Sequence, residues 1–490
     1  MHRALLLPEI VAAILANGAT IHRLLYRALT VNKLFSSEAA RLLWYRCGER
    51  SGVNLGDYNA LGIRHFIPIV KRDIGRAQYY ANLVRVLSFS NEGDHYEGTY
   101  ITAFHCFNAL SQLKFPNLEE AIILTIEYDI LRYIPKLRSL HVQMFKEAPK
   151  TWFDDHTALF SNLKRLKLNL YDRDSIPPET LHRLLERTQS LEDLYILPSK
   201  RYWSPESFLV VSRYPNLRYL SCPVIESYWI DLSTSGFVAL ESLHTAISLE
   251  ALEHFHRQVP QLVSLTVTAT SKHLITCAAN FTMLRHLSIT VTDYHDHGKE
   301  LVHLSQRCSH LVTLVIHGIR PLGAHDSDLS DQVMESVAGR LPDLEEVKIH
   351  YDSTENTPLT MASMLSFAKH CPRLRKLQTF MNLTWHNLVH DIPAGTVVSS
   401  SLESMGLFLG RFHMTTPEYE DTIGEEKVKS VAKSLTHAFP ALESFTWLGK
   451  SKGETAMTSH LDKVMHKRIL RKHLPIGWTP TKRYGVPVSP

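Results

Sequence analysis

The stretch Asn162-Leu163-Lys164-Arg165-Leu166-Lys167-Leu168 reads Leu-x-x-Leu-x-Leu, and relatives of it return from residue 118 to residue 447. With the first leucine as marker, copies begin at Leu118, Leu137, Leu163, Leu191, Leu217, Leu240, Leu262, Leu284, Leu311, Leu344, Leu374, Leu402 and Leu442. They span 324 residues in 12 intervals, a mean period of 27, with steps from 19 to 40. Within a copy the fourth and sixth positions are two residues apart and so share one face of a strand, as in Leu265/Val267 and Leu314/Ile316. A helix would carry the apolar spacing on to a seventh or eighth position. Here it switches to period two and stops.

Upstream of many copies the period is helical: Leu181/Leu184/Leu185, Val333/Met334/Val337/Leu341 and Val428/Val431/Ala432/Leu435. Pro177 and Pro178, or Pro358 after a capping Thr357, mark helix starts. Pro116, Pro135, Pro215, Pro260, Pro342, Pro372 and Pro440 stand two residues before a marker, where proline ends the helix. A strand-plus-helix period of this length lies in the leucine-rich-repeat range and predicts an α/β solenoid. Parallel strands would line the concave wall and helices the outer one. One unit buries too little apolar surface to offset the entropy of ordering it, so units must stack.

The front of the chain reads differently. Pro8 opens a helix with Ile10, Val11, Ile14 and Leu15 on one face, ended by Asn17-Gly18. A second helix carries Ile21, Leu24, Leu25, Ala28 and Leu29, and a third Phe35, Ala39, Leu42 and Leu43, with Ser36-Ser37 as cap candidates. Met1 to Ala19 could imitate a signal peptide, but Pro8-Glu9 interrupts its apolar run. The expected compartment is therefore the cytoplasm, the nucleus or both. The organisation expected is a helical module at 1–46, a connecting segment at 47–82, the solenoid at 83–449 and a basic cap and tail at 450–490. Val84-Leu87-Phe89 is the candidate first, capping strand.

Leu7-Pro8-Glu9-Ile10, Ile14-Leu15, Ala28-Leu29-Thr30-Val31-Asn32-Lys33-Leu34-Phe35 and Leu42-Leu43-Trp44 together resemble an F-box. Asn32 stands where that motif often has Cys, and Phe35 where it often has Trp. With irregular leucine-rich repeats behind it, the chain resembles the fungal F-box proteins. The resemblance implies the substrate-recognition subunit of a Skp–cullin–F-box ubiquitin ligase, docked on a Skp-type linker subunit and through it on a cullin. By carry-over, Leu7, Pro8, Ile10, Ile14, Leu29, Val31, Leu43 and Trp44 are candidates for that contact. The alternative is a repeat scaffold that binds a protein partner without any ligase.

Target recognition is expected on the concave wall, two and four residues past each marker. The central units place Ser242/His244, Ser264/Thr266, His286/Ser288 and Thr313/Val315 there, small or neutral. The flanks place Arg165/Lys167, Asp193/Tyr195, Tyr219, Glu346/Lys348 and Lys376. Arg165, Lys167, Tyr195, Tyr219, His244, His286, Lys348 and Lys376 are the residues chosen as target-binding candidates.

No enzyme is expected. There is no Gly-x-Ser-x-Gly and no dinucleotide fingerprint, and the phosphate-loop reading of Gly449-Lys450-Ser451 fails because residue 444 is Ser rather than Gly. His295-Asp296-His297 with His303, Cys308 and His310 lacks the spacing of a helical metal site, so neither metal nor cofactor is expected. With 44% apolar and 21% charged residues and a net charge of +4, the chain is an ordinary soluble type without a dominant acidic partner. Residues 450–490 hold nine Lys/Arg against Glu454 and Asp462, yet a solvated cap explains them as well as a nucleic acid does, and no nucleic-acid role is expected. Neither is a membrane, since no apolar run approaches about 20 residues. The six cysteines form no Cys-x-x-Cys pair and suit reduced, buried thiols.

Overall fold

Period-two apolar triplets leave one reading for the strands, and the computed structural model follows it. It describes residues 7–17, 22–48, 66–88, 110–123, 134, 136–142, 157–169, 178–197, 202–232, 236–269, 273–291, 297–319, 329–351, 359–381, 397–409 and 433–447. Residues 320–328, 410–432 and 448–490 lie outside the described residues, and with them Val428 and the basic tail. The chain divides into two compact units, Met1–Val259 and Pro260–Pro490.

The first unit opens with α1 (Pro8–Asn17), α2 (His22–Ala28) and α3 (Lys33–Trp44), then β1 (Arg46–Gly48), α4 (Phe66–Arg72) and α5 (Ile74–Ala81). It continues with β2 (Val86–Ser88), β3 (Glu120–Ile123), β4 (Ser139–Val142), α6 (Thr157–Ser161), β5 (Arg165–Asn169), α7 (Pro178–Arg187) and β6 (Asp193–Leu197). Then come α8 (Pro205–Ser212), β7 (Tyr219–Ile225), α9 (Ser227–Leu232), β8 (Ser242–Ile247) and α10 (Leu249–Gln258). All strands from β1 to β8 pair in parallel with their sequence neighbours.

The second unit holds β9 (Ser264–Ala269), α11 (Leu274–Ala278), β10 (His286–Val291), α12 (Gly298–Arg307), β11 (Thr313–Ile319) and α13 (Asp331–Arg340). It goes on through β12 (Glu346–Tyr351), α14 (Met361–His370), β13 (Lys376–Met381), β14 (Ser404–Leu409) and β15 (Ser444–Trp447), again with parallel neighbours in chain order. Each unit is thus an α/β leucine-rich-repeat sheet.

All the marker leucines are 2% exposed or less, and each is followed two residues later by the first residue of a strand. The third position past the marker points inward, as with Leu166, Leu194, Leu265 and Leu314, while the second and fourth stay half-open. A repeated junction joins the units of the array. The N–H groups one and two residues past a marker both donate to the carbonyl one residue past the previous marker. Glu192 and Asp193 bond Lys164 in this way, and Arg285 and His286 bond Val263.

That junction moves the start of the array. Arg85 and Val86 donate to the Tyr45 carbonyl in the same two-donor pattern, and Arg46 pairs with Val86. Trp44 therefore occupies a marker position, and α3 is the helix of the first repeat. The expected connecting segment at 47–82 instead holds part of β1 and all of α4 and α5, and β1 precedes the expected capping strand. Trp44 is seated by its neighbours, stacking on Tyr80 at 4.6 Å and meeting the edge of Phe66 at 4.5 Å.

Helix starts also differ from expectation. Asn32, in extended backbone, caps α3 by accepting the Phe35 N–H at 3.0 Å, while Ser37 donates to the Leu34 carbonyl inside the helix. Thr360 caps α14; Thr357 and Pro358 lie outside the described residues. Asp331, at the start of α13, accepts from the Thr360 N–H at 2.9 Å and hydroxyl at 2.7 Å, and so ties two successive helix starts together.

Side chains just before the marker also join neighbouring repeats. One residue before the marker, Asn117 reaches the Asn82 carbonyl, Ser190 the Leu163 carbonyl and Ser401 the Leu374 carbonyl. Three residues before it, Phe115, Phe160, Phe237, Phe281 and Phe439 fill the buried space, and Cys308 and Cys371 direct thiols at the Phe281 and Leu341 carbonyls, each at 3.4 Å. Burial pushes the Cys308 thiol up to about 11 and the Cys371 thiol to about 12, which keeps both protonated as donors. Gly318, at φ +82°, sits where a Cβ would meet the Val291 carbonyl oxygen at 1.9 Å, so the register shift in β11 needs glycine.

Candidate functional site

Two surfaces concern function, the front helices and the open face of the strands. In the front helices Val11, Leu15, Leu25, Ala28, Ala39 and Leu43 are buried. Leu7 at 50%, Ile14 at 44% and Val31 at 53% remain exposed, and Pro8 with them; Ile10 and Leu29 are half-buried. Leu43 and Trp44 differ from the rest of the set. Both are buried inside the chain, Trp44 because it is the first marker of the array, so neither presents a side chain to a partner. Leu24 and Tyr26 of α2 are exposed apolar residues absent from the sequence-derived set. Leu24 lay within the apolar stripe of its helix, whereas nothing in the sequence marked Tyr26.

The open face of the first unit is ionic and aromatic. Strand register sets two rows of outward side chains, Ser139–Arg165–Asp193–Tyr219–Ser242 and His141–Lys167–Tyr195–Ser221–His244. Tyr195 and Tyr219 stack across β6 and β7 with centroids 5.1 Å apart and planes 11° from parallel. The Lys167 ammonium lies 5.4 Å from the Tyr195 ring centroid, and His244 meets the same ring edge-on at 6.5 Å. Arg165 pairs with Glu120 at 3.8 Å. Sequence spacing could nominate these residues singly; only the register brings them together.

Electrostatics on this face follow burial. Desolvation, and after it the Lys167 ammonium, pushes His141 down from 6.5 to about 4, with the Asn169 side chain working the other way. Burial also lowers His244, so both imidazoles are neutral at pH 7. Desolvation raises Asp193, with Arg165 pulling it back. Tyr219 is raised by burial and by its hydrogen bond to Tyr195, which keeps its hydroxyl protonated.

The second unit has a milder face. Ser264, Thr266, Ser288, Thr313 and Val315 floor β9 to β11, with His286 Nδ1 3.1 Å from the Thr313 hydroxyl. Farther on, Lys348 pairs with Glu346 of its own strand at 2.5 Å, and Lys376 is exposed. His317 and His350 lie side by side at 4.7 Å, and His350 is lowered by burial first and by His317 and Lys348 after it. Gly406 leaves room for Gln378, whose Cγ a Cβ there would meet at 2.9 Å.

Among the described residues no three His, Cys, Asp or Glu side chains gather as metal ligands. His297 is fully buried at the start of α12, while His295 and Asp296 lie outside the described residues. No described helix is long and apolar enough to cross a membrane.

No family model matches the chain, and no curated protein matches it. Among solved structures it is similar to an internalin from Listeria monocytogenes str. 4b F2365, with 14% identity, 82% of this chain and 92% of that one covered, and a TM-score of 0.33. It is also similar to a chain of the yeast complex of Rad7 and Elc1, with 13% identity, coverages of 85% and 90%, and a TM-score of 0.39. A chain of the TLR13–ssRNA13 complex matches with 15% identity, coverages of 69% and 53%, and a TM-score of 0.36. Likeness at this level assigns no function.

Proposed function

We propose that the chain is the target-recognition subunit of a Skp–cullin–F-box ubiquitin ligase. The front helices dock on a Skp-type linker subunit, the open face of the strands holds the protein to be modified, and ubiquitin transfer belongs to the partner subunits. The chain itself catalyses nothing and works in the cytoplasm, the nucleus or both. One observation carries the reading: Leu7, Pro8, Ile14 and Val31 stay exposed on or beside helices whose core buries Val11, Leu15, Leu25, Ala28, Ala39 and Leu43. These are positions at which the F-box resemblance expects adaptor contact, and apolar side chains left out by a small helical core suit a partner surface.

The test is capture of a recombinant Skp-type subunit by the folded full-length chain. Wild type is expected to hold it, and the Leu7→Ala/Pro8→Ala double variant to bind roughly tenfold more weakly at an unchanged melting temperature. No capture by folded wild type overturns the reading.

A second reading is a protein-binding repeat scaffold without a ligase. It is favoured by Phe35, half-buried where the motif often has Trp, and by Asn32, whose side chain is committed to capping α3. Under it, the Leu7/Pro8 variant retains every partner of the wild type. Point variants are required because removal of residues 1–46 would take Trp44 and the start of β1 out of the first repeat.

A further inference from the structure

The strand-borne cations of the open faces differ in how they are neutralised. Arg165 has Glu120 at 3.8 Å, Lys348 has Glu346 at 2.5 Å, and Lys376 is exposed to solvent. Lys167 is half-buried, and its ammonium meets the Tyr195 ring rather than a carboxylate. A ring face attracts an ammonium without accepting its three hydrogen bonds in full. His141, its neighbour on β4, is neutral and offers no countercharge. Beside Lys167 stands the Tyr195–Tyr219 pair, whose mutual hydrogen bond leaves one phenol proton to donate. Across from Tyr195, the register neighbour of Tyr219 is Ser242, a small side chain.

We propose that the Lys167–Tyr195–Tyr219 centre binds a single acidic side chain of a protein segment, with an adjoining aromatic or aliphatic residue laid on the Ser242 side of Tyr219. This rests on the reading that the open face holds a target, and it names the chemistry of that target. A carboxylate would complete the Lys167 donor set and accept the phenol proton that the Tyr195–Tyr219 bond leaves over, a charge-assisted arrangement stronger than a neutral one. A purely apolar segment would cover Lys167 without pairing it, at the cost of desolvation. A polyanion such as nucleic acid is disfavoured, because Asp193 opens β6, Glu192 stands just before it, and Glu120 on β3 reaches Arg165.

The experiment is selection of displayed random peptides of about 12 residues on the full-length chain, with the enriched sequence then synthesised with a fluorescein label. The expected consensus holds Asp or Glu next to Phe, Tyr, Trp or Leu. In anisotropy titrations Lys167→Gln should weaken that peptide roughly tenfold or more, Lys167→Arg should restore part of the loss, and Tyr219→Ala should weaken it several-fold. Lys376→Gln should leave it unchanged. Affinity of the wild type should fall as salt rises. No consensus, a consensus without an acidic residue, or a consensus peptide indifferent to Lys167→Gln overturns the proposal. The ligase reading fails separately: Lys167→Gln should still capture the Skp-type subunit, and an acidic consensus without adaptor capture sinks only the ligase. Adaptor capture with no acidic consensus sinks only the Lys167 centre.

Discussion

From β5 to β7 the outward positions hold Arg165, Lys167, Asp193, Tyr195 and Tyr219; from β9 to β11 they hold Ser264, Thr266, His286, Ser288, Thr313 and Val315. The inward positions hardly change: Leu166, Leu168, Leu194 and Ile196 in one, Leu265, Val267, Leu287 and Ile289 in the other, all buried. The two-donor junction between neighbouring repeats is the same in both. Strand stacking thus depends on the inward residues alone, and the outward ones can vary without loss of the sheet. A dense ionic and aromatic group on one face and a small neutral floor on the other is a difference in binding chemistry. It is not a difference in fold.

The strongest way to break this comparison is from the inside. Leu194→Ala and Leu287→Ala should each cost about 2–5 kcal/mol by cavity formation, read by chemical denaturation with hydrogen exchange assigned to each unit. A loss confined to one of them would mean that the two sets of strands are packed differently after all. The next largest effect is acid sensitivity of the first face. The unfolded His141 takes up its proton near pH 6.5, whereas the folded one resists until about 4, so stability should fall as pH drops through that window. His141→Asn should flatten this part of the melting-temperature profile, and an unchanged slope would place the acid sensitivity elsewhere. The smallest effect belongs to β12, just past the neutral floor. Lys348→Gln removes the Glu346 pair and should change stability by about 1 kcal/mol or less, because such partly open pairs gain little over solvation.

The repeats were legible because their signal is local. A marker, then two alternating apolar positions, states both strand and register in six residues, and the copies from Leu118 to Leu442 follow it except for a Thr at the sixth position in two, Thr245 and Thr379. The first repeat escaped because Trp44 replaces the marker leucine and Arg46-Cys47-Gly48 shows no apolar alternation; its strand exists through pairing with Val86 to Ser88. Trp44, a docking candidate through its match to the F-box, is instead buried as the marker of that repeat. The cap of α3 was misplaced for a related reason, since Ser36, Ser37 and Asn32 are all good cap types and only backbone geometry selects among them. The side-chain contacts just before the marker mix Asn, Ser and Cys at two offsets, which hides them from any single-letter periodicity. The Tyr195–Tyr219 stack joins different repeats, so no spacing along the chain announces it.

The passage from α3 straight into β1 sets a dimension. Five strand-to-strand steps separate β1 from β6, about 24 Å at the usual spacing of some 4.8 Å. Anything carried by the front helices is thereby held at a gauge length from anything lying on Tyr195, counted out in hydrogen-bonded strands and not in slack tether. Inserting or deleting one whole repeat between them would lengthen or shorten that gauge by a single increment, and with it choose which part of a captured protein comes within reach.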